Sequence, residues 1–178
     1  IHERLEIEKG EYALVTMHRP SNVDDDEVLT EIIDALDVIS ENIPIIFPVH
    51  PRTTKMISEF GLENRINRNP NFVMKEPLGY LDFVALMKHA KVVVTDSGGL
   101  QEETTALGIP CITIRENTER PITVEQGTNT IVGNSKEKII KEWKNILKTG
   151  GKKGRIPEMW DGKTAQRTAD EIIEYLNI

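Results

Sequence analysis

An α/β domain with a mainly parallel sheet follows from the order of the chain. Short β-branched apolar runs alternate with longer amphipathic segments from one end to the other, and no internal repeat or low-complexity tract interrupts them. The runs are apolar throughout rather than alternating, as strands buried on both faces must be. Strands are expected at residues 12–18, 44–50, 72–75, 91–95, 110–115 and 130–132. In the first intervening segment, Val28, Leu29, Ile32, Ile33, Leu36 and Ile39 recur at helical spacing, and Asp24 with Glu27 three residues on reads as a capping box. Asp24, Asp25 and Asp26 together invite a metal reading, but at a helix start they complement the dipole. Further helices are expected at 54–60, 81–89, 100–107, 136–147 and 165–176. Residues 150–162, with Gly150, Gly151, Gly154, Gly162 and Pro157, make either a surface loop or a hinge leading into a crossover segment, 150–178.

Composition narrows the function. At 178 residues the chain is one domain, 1–178, large enough to bury a sizeable core without disulfides or a structural metal. Lys and Arg number 22 against 29 Asp and Glu, a net charge of −7. That balance argues against a nucleic-acid binder but leaves room for a local anion site. The lone Cys111 excludes an internal disulfide, sits in an expected strand as a small hydrophobe, and suits a reducing cytoplasm. Trp143 and Trp160 read as packing residues. No apolar run approaches the roughly 20 residues of a membrane span. The chain opens on Ile1 rather than Met, so it is expected to be part of something longer.

In an open parallel sheet, ligands bind beyond the carboxyl ends of the strands, where the unusual polar residues of this chain gather. Thr16-Met17-His18-Arg19, His50-Pro51-Arg52, Asp96-Ser97-Gly98-Gly99 and Arg115-Glu116-Asn117-Thr118-Glu119-Arg120-Pro121 all follow strands. Ser97-Gly98-Gly99 feeds a strand into a helix whose first amides lack acceptors, and glycines admit an anion to the backbone. A diphosphate fits this turn, and so does a plain glycine turn with Ser97 as N-cap. Glu102 and Glu103 lie about 100° apart on that helix, so one of them can face a ligand. A carboxylate there suits ribose hydroxyls; for Glu102 the preferred reading is a charge that complements the helix dipole. Arg120 is a candidate for bidentate phosphate contact, or for an ion pair with Glu119 or Glu116. His18 is a candidate phosphate donor or acid/base, with His50 and Arg52 weaker candidates; each has a structural alternative.

On three motifs the chain resembles the non-hydrolysing UDP-N-acetylglucosamine 2-epimerases, specifically their C-terminal half. These are Thr16-x-His18-Arg19-x-x-Asn22, Ser97-Gly98-Gly99-Leu100-Gln101-Glu102-Glu103, and Arg115-x-x-Thr118-Glu119-Arg120-Pro121, and the resemblance runs from Tyr12 to the Trp160-Asp161-Gly162-Lys163 segment. The intact Gly-Gly-x-Gln-Glu-Glu stretch favours the non-hydrolysing branch. The resemblance implies one Rossmann-like half, with helices on both faces of the sheet, of a glycosyltransferase-B-like two-domain fold. It implies that His18 contacts the phosphates near the sugar as the one catalytic residue here, and that Ser97, Gly98 and Gly99 hold the diphosphate. Glu103 would take the ribose hydroxyls, Arg120 would complete the phosphate clamp, the backbone around Leu78 would meet the uracil edge and Phe83 would pack nearby, although Phe83 in a helix is otherwise simply core.

The implied reaction interconverts UDP-GlcNAc and UDP-ManNAc by eliminating UDP and adding it back, with no cofactor and no metal. The carboxylates that move the C2 proton belong to the family's N-terminal domain, and no equivalent set stands in this chain. It is therefore expected to bind UDP without epimerising by itself, and to act in a cytoplasmic homodimer when full length. Some members bind a second UDP-GlcNAc as activator, at positions matching Arg19 and His50. The chain departs from the bacterial pattern at Pro20-Ser21 and Arg52-Thr53, so activation stays open. The alternatives are the nucleotide-donor domain of a glycosyltransferase and a non-catalytic nucleotide-sugar sensor.

Overall fold

The computed structural model describes residues 1–176, so the last two positions of the expected 150–178 segment lie outside the described residues. Six strands form one sheet: β1 (Ala13–Thr16), β2 (Ile45–Pro48), β3 (Phe72–Lys75), β4 (Val92–Thr95), β5 (Cys111–Thr113) and β6 (Asn129–Ile131). Their spatial order is β3-β2-β1-β4-β5-β6, and every pairing is parallel. All six expected strands are present, most of them trimmed at the ends.

The helices are α1 (His2–Leu5), α2 (Pro20–Val23), α3 (Asp26–Ser40), α4 (Pro51–Glu59), α5 (Glu63–Asn67), α6 (Tyr80–Lys88), α7 (Gly98–Leu107), α8 (Pro121–Glu125), α9 (Lys136–Thr149) and α10 (Thr164–Leu176). Of these, α1, α2, α5 and α8 have four or five residues each and were not expected. The turn α2 corrects the capping assignment. Asp24 ends that turn in a helical conformation, whereas Asp25 is extended, and it is the Asp25 carboxylate that accepts from Val28 N at 3.0 Å. Asp24 instead pairs with Arg52. Among the described residues no three acidic, His or Cys side chains group as a metal site.

Successive strand residues point to opposite faces, and each face has its own core. Val15, Phe47, Val94 and Ile112 pack beneath Leu29, Ile32 and Leu36 of α3 and Ile139 and Trp143 of α9. Leu14, Ile46 and Val93 pack on Leu86 and Met87 of α6, with Phe83 and Leu100 alongside. Trp143 is fully buried and its indole N–H donates to Asn42 Oδ1 at 3.1 Å. Trp160 is only half-buried, against α10 rather than in either core. Cys111 is buried, and desolvation pushes its thiol up to about 11, which suits a hydrophobe and not a nucleophile.

Beyond α9, Arg155 N donates to Gln126 O at 2.8 Å and fixes the start of the loop on the sheet edge. The chain then leads to α10, which buries no residue and exposes Ile172, Ile173 and Leu176. Among the described residues no helix is long and apolar enough to cross a membrane.

The strand order reverses between β1 and β4, and a crevice forms outside their carboxyl ends. The two strands end side by side, with Thr16 paired to Thr95. That pairing brings together the two loops leaving them: Met17-His18-Arg19 from β1 and Asp96-Ser97-Gly98 from β4.

Candidate functional site

Helix α7 begins at the glycines themselves. Ser97 is its N-cap, in an extended conformation, but its hydroxyl caps nothing, and its own N–H donates to Thr95 Oγ1 at 3.0 Å. The amides of Gly98, Gly99 and Leu100 fall in the first turn, where an α-helix has no acceptor to offer. With the positive end of the dipole, they form a place for an anion. The glycines have separate uses. A Cβ on Gly99 would meet nothing nearer than Ser97 Oγ at 4.0 Å, whereas one on Gly98 would lie 3.2 Å from Glu119 Oε1.

Charged side chains ring this turn. Arg19 Nη2 lies 3.1 Å from Glu119 Oε1, and Arg115 Nη1 lies 2.7 Å from Glu119 Oε2. Hydrogen bonding to its own backbone and to Arg115 holds the Glu119 carboxyl down at about 2, so it stays ionised beside the glycines. Arg120 does not pair with Glu119 or Glu116 as the alternative reading expected. Its Nε lies 3.1 Å from Glu102 Oε1, which also corrects the reading of Glu102 as a charge that merely complements the helix dipole. Three guanidinium groups and two carboxylates thus surround one helix start.

His18 stands past the end of β1, with its side chain 44% exposed. Its ring and that of His50 are 5.4 Å apart at 36°, and both line a cavity of about 180 Å3 with Pro77, Leu78 and Phe83. Arg19 lines a different hollow of about 270 Å3, with Asn22, Arg115 and Asn134. His50 therefore stands beside His18, whereas Arg19 lines a separate hollow. His50 Nδ1 accepts from Arg52 N at 3.1 Å, capping α4. Glu103 faces a third hollow of about 200 Å3, lined also by Tyr80, Val84 and Leu107. Burial first, and then the neighbouring Glu102, raises its carboxyl above the usual range.

Several residues that shape the site carried no role in the sequence reading. Asp96 is fully buried, and its Oδ2 accepts from His18 N, Arg19 N and Asn22 Nδ2 at 2.9, 2.8 and 3.2 Å. The signal for it was present, since Asn22 and Asp96 sit inside the very motifs read for their neighbours. Gln101 is also fully buried; its Oε1 accepts from Thr118 Oγ1 at 2.5 Å and Asn129 Nδ2 at 3.1 Å. Thr118 Oγ1 in turn accepts from Arg120 N at 2.9 Å. A buried amide in α7 thereby sets the loop that carries Arg120.

A family model for UDP-N-acetylglucosamine 2-epimerase matches residues 1–173. The UDP-N-acetylglucosamine 2-epimerase of Methanocaldococcus jannaschii is 45% identical over 158 residues, covering 82% of this chain and 43% of that protein. Its solved structure superposes with a TM-score of 0.84 at 41% identity, covering 97% of this chain and 48% of the other. The structure of that enzyme in complex with UDP-GlcNAc and UDP gives 0.80 at 43% identity, over 92% of this chain and 45% of the other. The chain spans less than half the length of these relatives.

Proposed function

Since this chain belongs to the UDP-N-acetylglucosamine 2-epimerase family, we propose that it is the UDP-holding C-terminal domain of an enzyme that interconverts UDP-GlcNAc and UDP-ManNAc. The observation that carries the reading is the uncapped start of α7 at the sheet's switch point, between His18 and the guanidinium of Arg120. In this reading the diphosphate accepts from the amides of Gly98, Gly99 and Leu100, with Ser97 Oγ as a further donor. Glu103 takes the ribose hydroxyls, and Leu78 and Phe83 receive the uracil in the cavity they share with His18.

The chemistry is elimination of UDP from C1 and C2 of the sugar, followed by its return after the C2 proton has moved to the other face. Negative charge grows on the β-phosphate as the glycosidic bond breaks. Donors already fixed in place, and strongest at that moment, lower the barrier to both departure and return. This domain's share is that stabilisation, with His18 at the phosphate. The C2 proton is moved by carboxylates of a preceding domain, across which α10, with its exposed Ile172, Ile173 and Leu176, packs as part of a crossover segment. The reading includes a cytoplasmic location and a homodimer for the whole enzyme, and treats Arg19 and His50 as candidate contacts for an activating second UDP-GlcNAc.

The test is to incubate the 178-residue chain with UDP and with UDP-GlcNAc, following binding by calorimetry and products by mass spectrometry. UDP should bind, and UDP-GlcNAc should be recovered unchanged. Epimer formation by this chain would contradict the division of labour, and absence of UDP binding would contradict the reading itself. Within it, Arg120→Ala should weaken UDP binding by about 1.5–3 kcal/mol, roughly 10- to 150-fold, the value of a charged hydrogen bond. Unchanged affinity would remove Arg120 from the phosphate site.

A further inference from the structure

The most demanding group on this edge of the sheet is the carboxylate of Asp96. It is fully removed from water, and a buried carboxylate needs donors at both oxygens. Oδ2 has three, from His18 N, Arg19 N and Asn22 Nδ2. Oδ1 is equally buried, and no aligned hydrogen bond reaches it among the described residues. The group standing at that oxygen is His18 Nδ1, 3.2 Å away. The backbone of His18 is thus tied to one oxygen of Asp96 while its ring abuts the other. A small rotation of the ring aligns an Nδ1–H with Oδ1.

We propose that Asp96 is the positioning residue of His18, its Oδ1 holding the neutral ring as the Nδ1–H tautomer so that Nε2 is the nitrogen offered to the phosphate. This rests on reading the start of α7 as a diphosphate site. A neutral imidazole carries one N–H, and which nitrogen bears it is set by the partner of the other. With Nδ1–H committed to Asp96, Nε2 alone exchanges a proton with the ligand. When protonated, the ring donates at both ends, to Asp96 and to a phosphate oxygen. The same residue fixes Arg19, whose Nε donates to Asp96 O at 3.0 Å, so both polar side chains of the β1 edge are oriented from one buried position.

Asp96→Asn separates positioning from packing. The asparagine carbonyl can still accept from the three donors that serve Oδ2, but its NH2 replaces Oδ1 and donates to Nδ1, which forces the ring proton onto Nε2. The same exchange in catalytic triads leaves geometry intact and reverses the tautomer. The experiment is long-range proton–nitrogen correlation NMR on the ligand-free chain with labelled histidine, at a pH where the His18 ring is neutral, with UDP titrations alongside.

The expected result is Nδ1–H for His18 in the unsubstituted chain and Nε2–H in Asp96→Asn. An Nε2–H ring in the unsubstituted chain overturns the proposal and requires no variant to fold. So does a folded Asp96→Asn with unchanged tautomer. Because the tautomer is read without ligand, an Nδ1–H ring in a chain that binds no UDP condemns the diphosphate reading and leaves the pairing of Asp96 with His18 standing.

Discussion

Gly99→Val is expected to abolish measurable UDP binding, a loss of more than a hundredfold, while the chain stays folded. Its Cβ would meet only Ser97 Oγ at 4.0 Å, so branching at this position starts from open space within the protein. Helix propensity puts the intrinsic difference between glycine and valine at well under 1 kcal/mol. The space the valine fills is instead that through which phosphate oxygens would reach the amides of Gly98, Gly99 and Leu100. Hydrogen bonds to charged groups are worth about 1.5–3 kcal/mol each, and losing two of them accounts for the expected effect. Circular dichroism and thermal melting would report an intact fold, and calorimetry the loss of binding. Gly98 is the less clean position, because a Cβ there stands 3.2 Å from the Glu119 carboxylate and would disturb the ion pairs as well as the ligand. A folded Gly99→Val that binds UDP as the unsubstituted chain does would remove the glycine turn from the site.

Asn129→Leu should carry the largest effect on stability, about 3 kcal/mol, and should lower the melting temperature by roughly 6–12 °C for a chain of this size. Asn129 is fully buried on β6. Its Oδ1 accepts from Thr113 Oγ1 at 2.6 Å, and its Nδ2 donates to Gln101 Oε1 and Thr123 Oγ1, each at 3.1 Å. Leucine keeps the branched shape of asparagine but takes the Thr113 hydroxyl's acceptor away and removes a donor from Gln101. A buried polar group left without its partner costs far more than the net value of the bond it made. The damage should reach the ligand as well. Gln101 anchors Thr118, and both Thr118 and Thr123 bond the backbone of Arg120, through its N–H and its C=O respectively. Weaker UDP binding should therefore accompany the lower melting temperature. Unchanged stability would mean that the network is not what holds the Arg120 loop.

The central strands were legible because β2, β4 and β5 are short, largely apolar runs buried along their whole length, and β1 is nearly so; the edge strands β3 and β6 are only partly buried. Strand ends were less legible. The run through Met17 and His18 reads as strand, but the amide of His18 is drawn off the ladder by the Asp96 carboxylate, a partner 78 residues away. One-turn helices such as α2 and α8 are too short for a 3.6-residue period to show. Both nevertheless begin with a proline at the first position, Pro20 and Pro121, which is the cue that reading periodicity alone misses.

At the site, the residue types and their common edge were visible, because strand-to-helix loops of a parallel sheet must converge. The pairings were not. Arg120 finds Glu102 on α7 rather than its chain neighbour, and Glu119 is held instead by Arg19 and Arg115. Sequence spacing favours local partners, whereas the fold brings the β5 loop against α7. Asp96 lay in a motif that was read, but its role was hidden for a related reason. Its carboxylate acts on the β1 loop and on Asn22 of the following α2, and only the adjacency of β1 and β4 makes that possible.

The most direct measurement is a crystal structure of this chain soaked with UDP. Pyrophosphate oxygens should lie within hydrogen-bond distance of the amides of residues 98 to 100, with the Arg120 guanidinium turned from Glu102 toward phosphate and the His18 Nε2 facing the same group. A nucleotide lodged elsewhere, with those amides untouched and Arg120 still on Glu102, would contradict the assignment of the glycine turn as the diphosphate site.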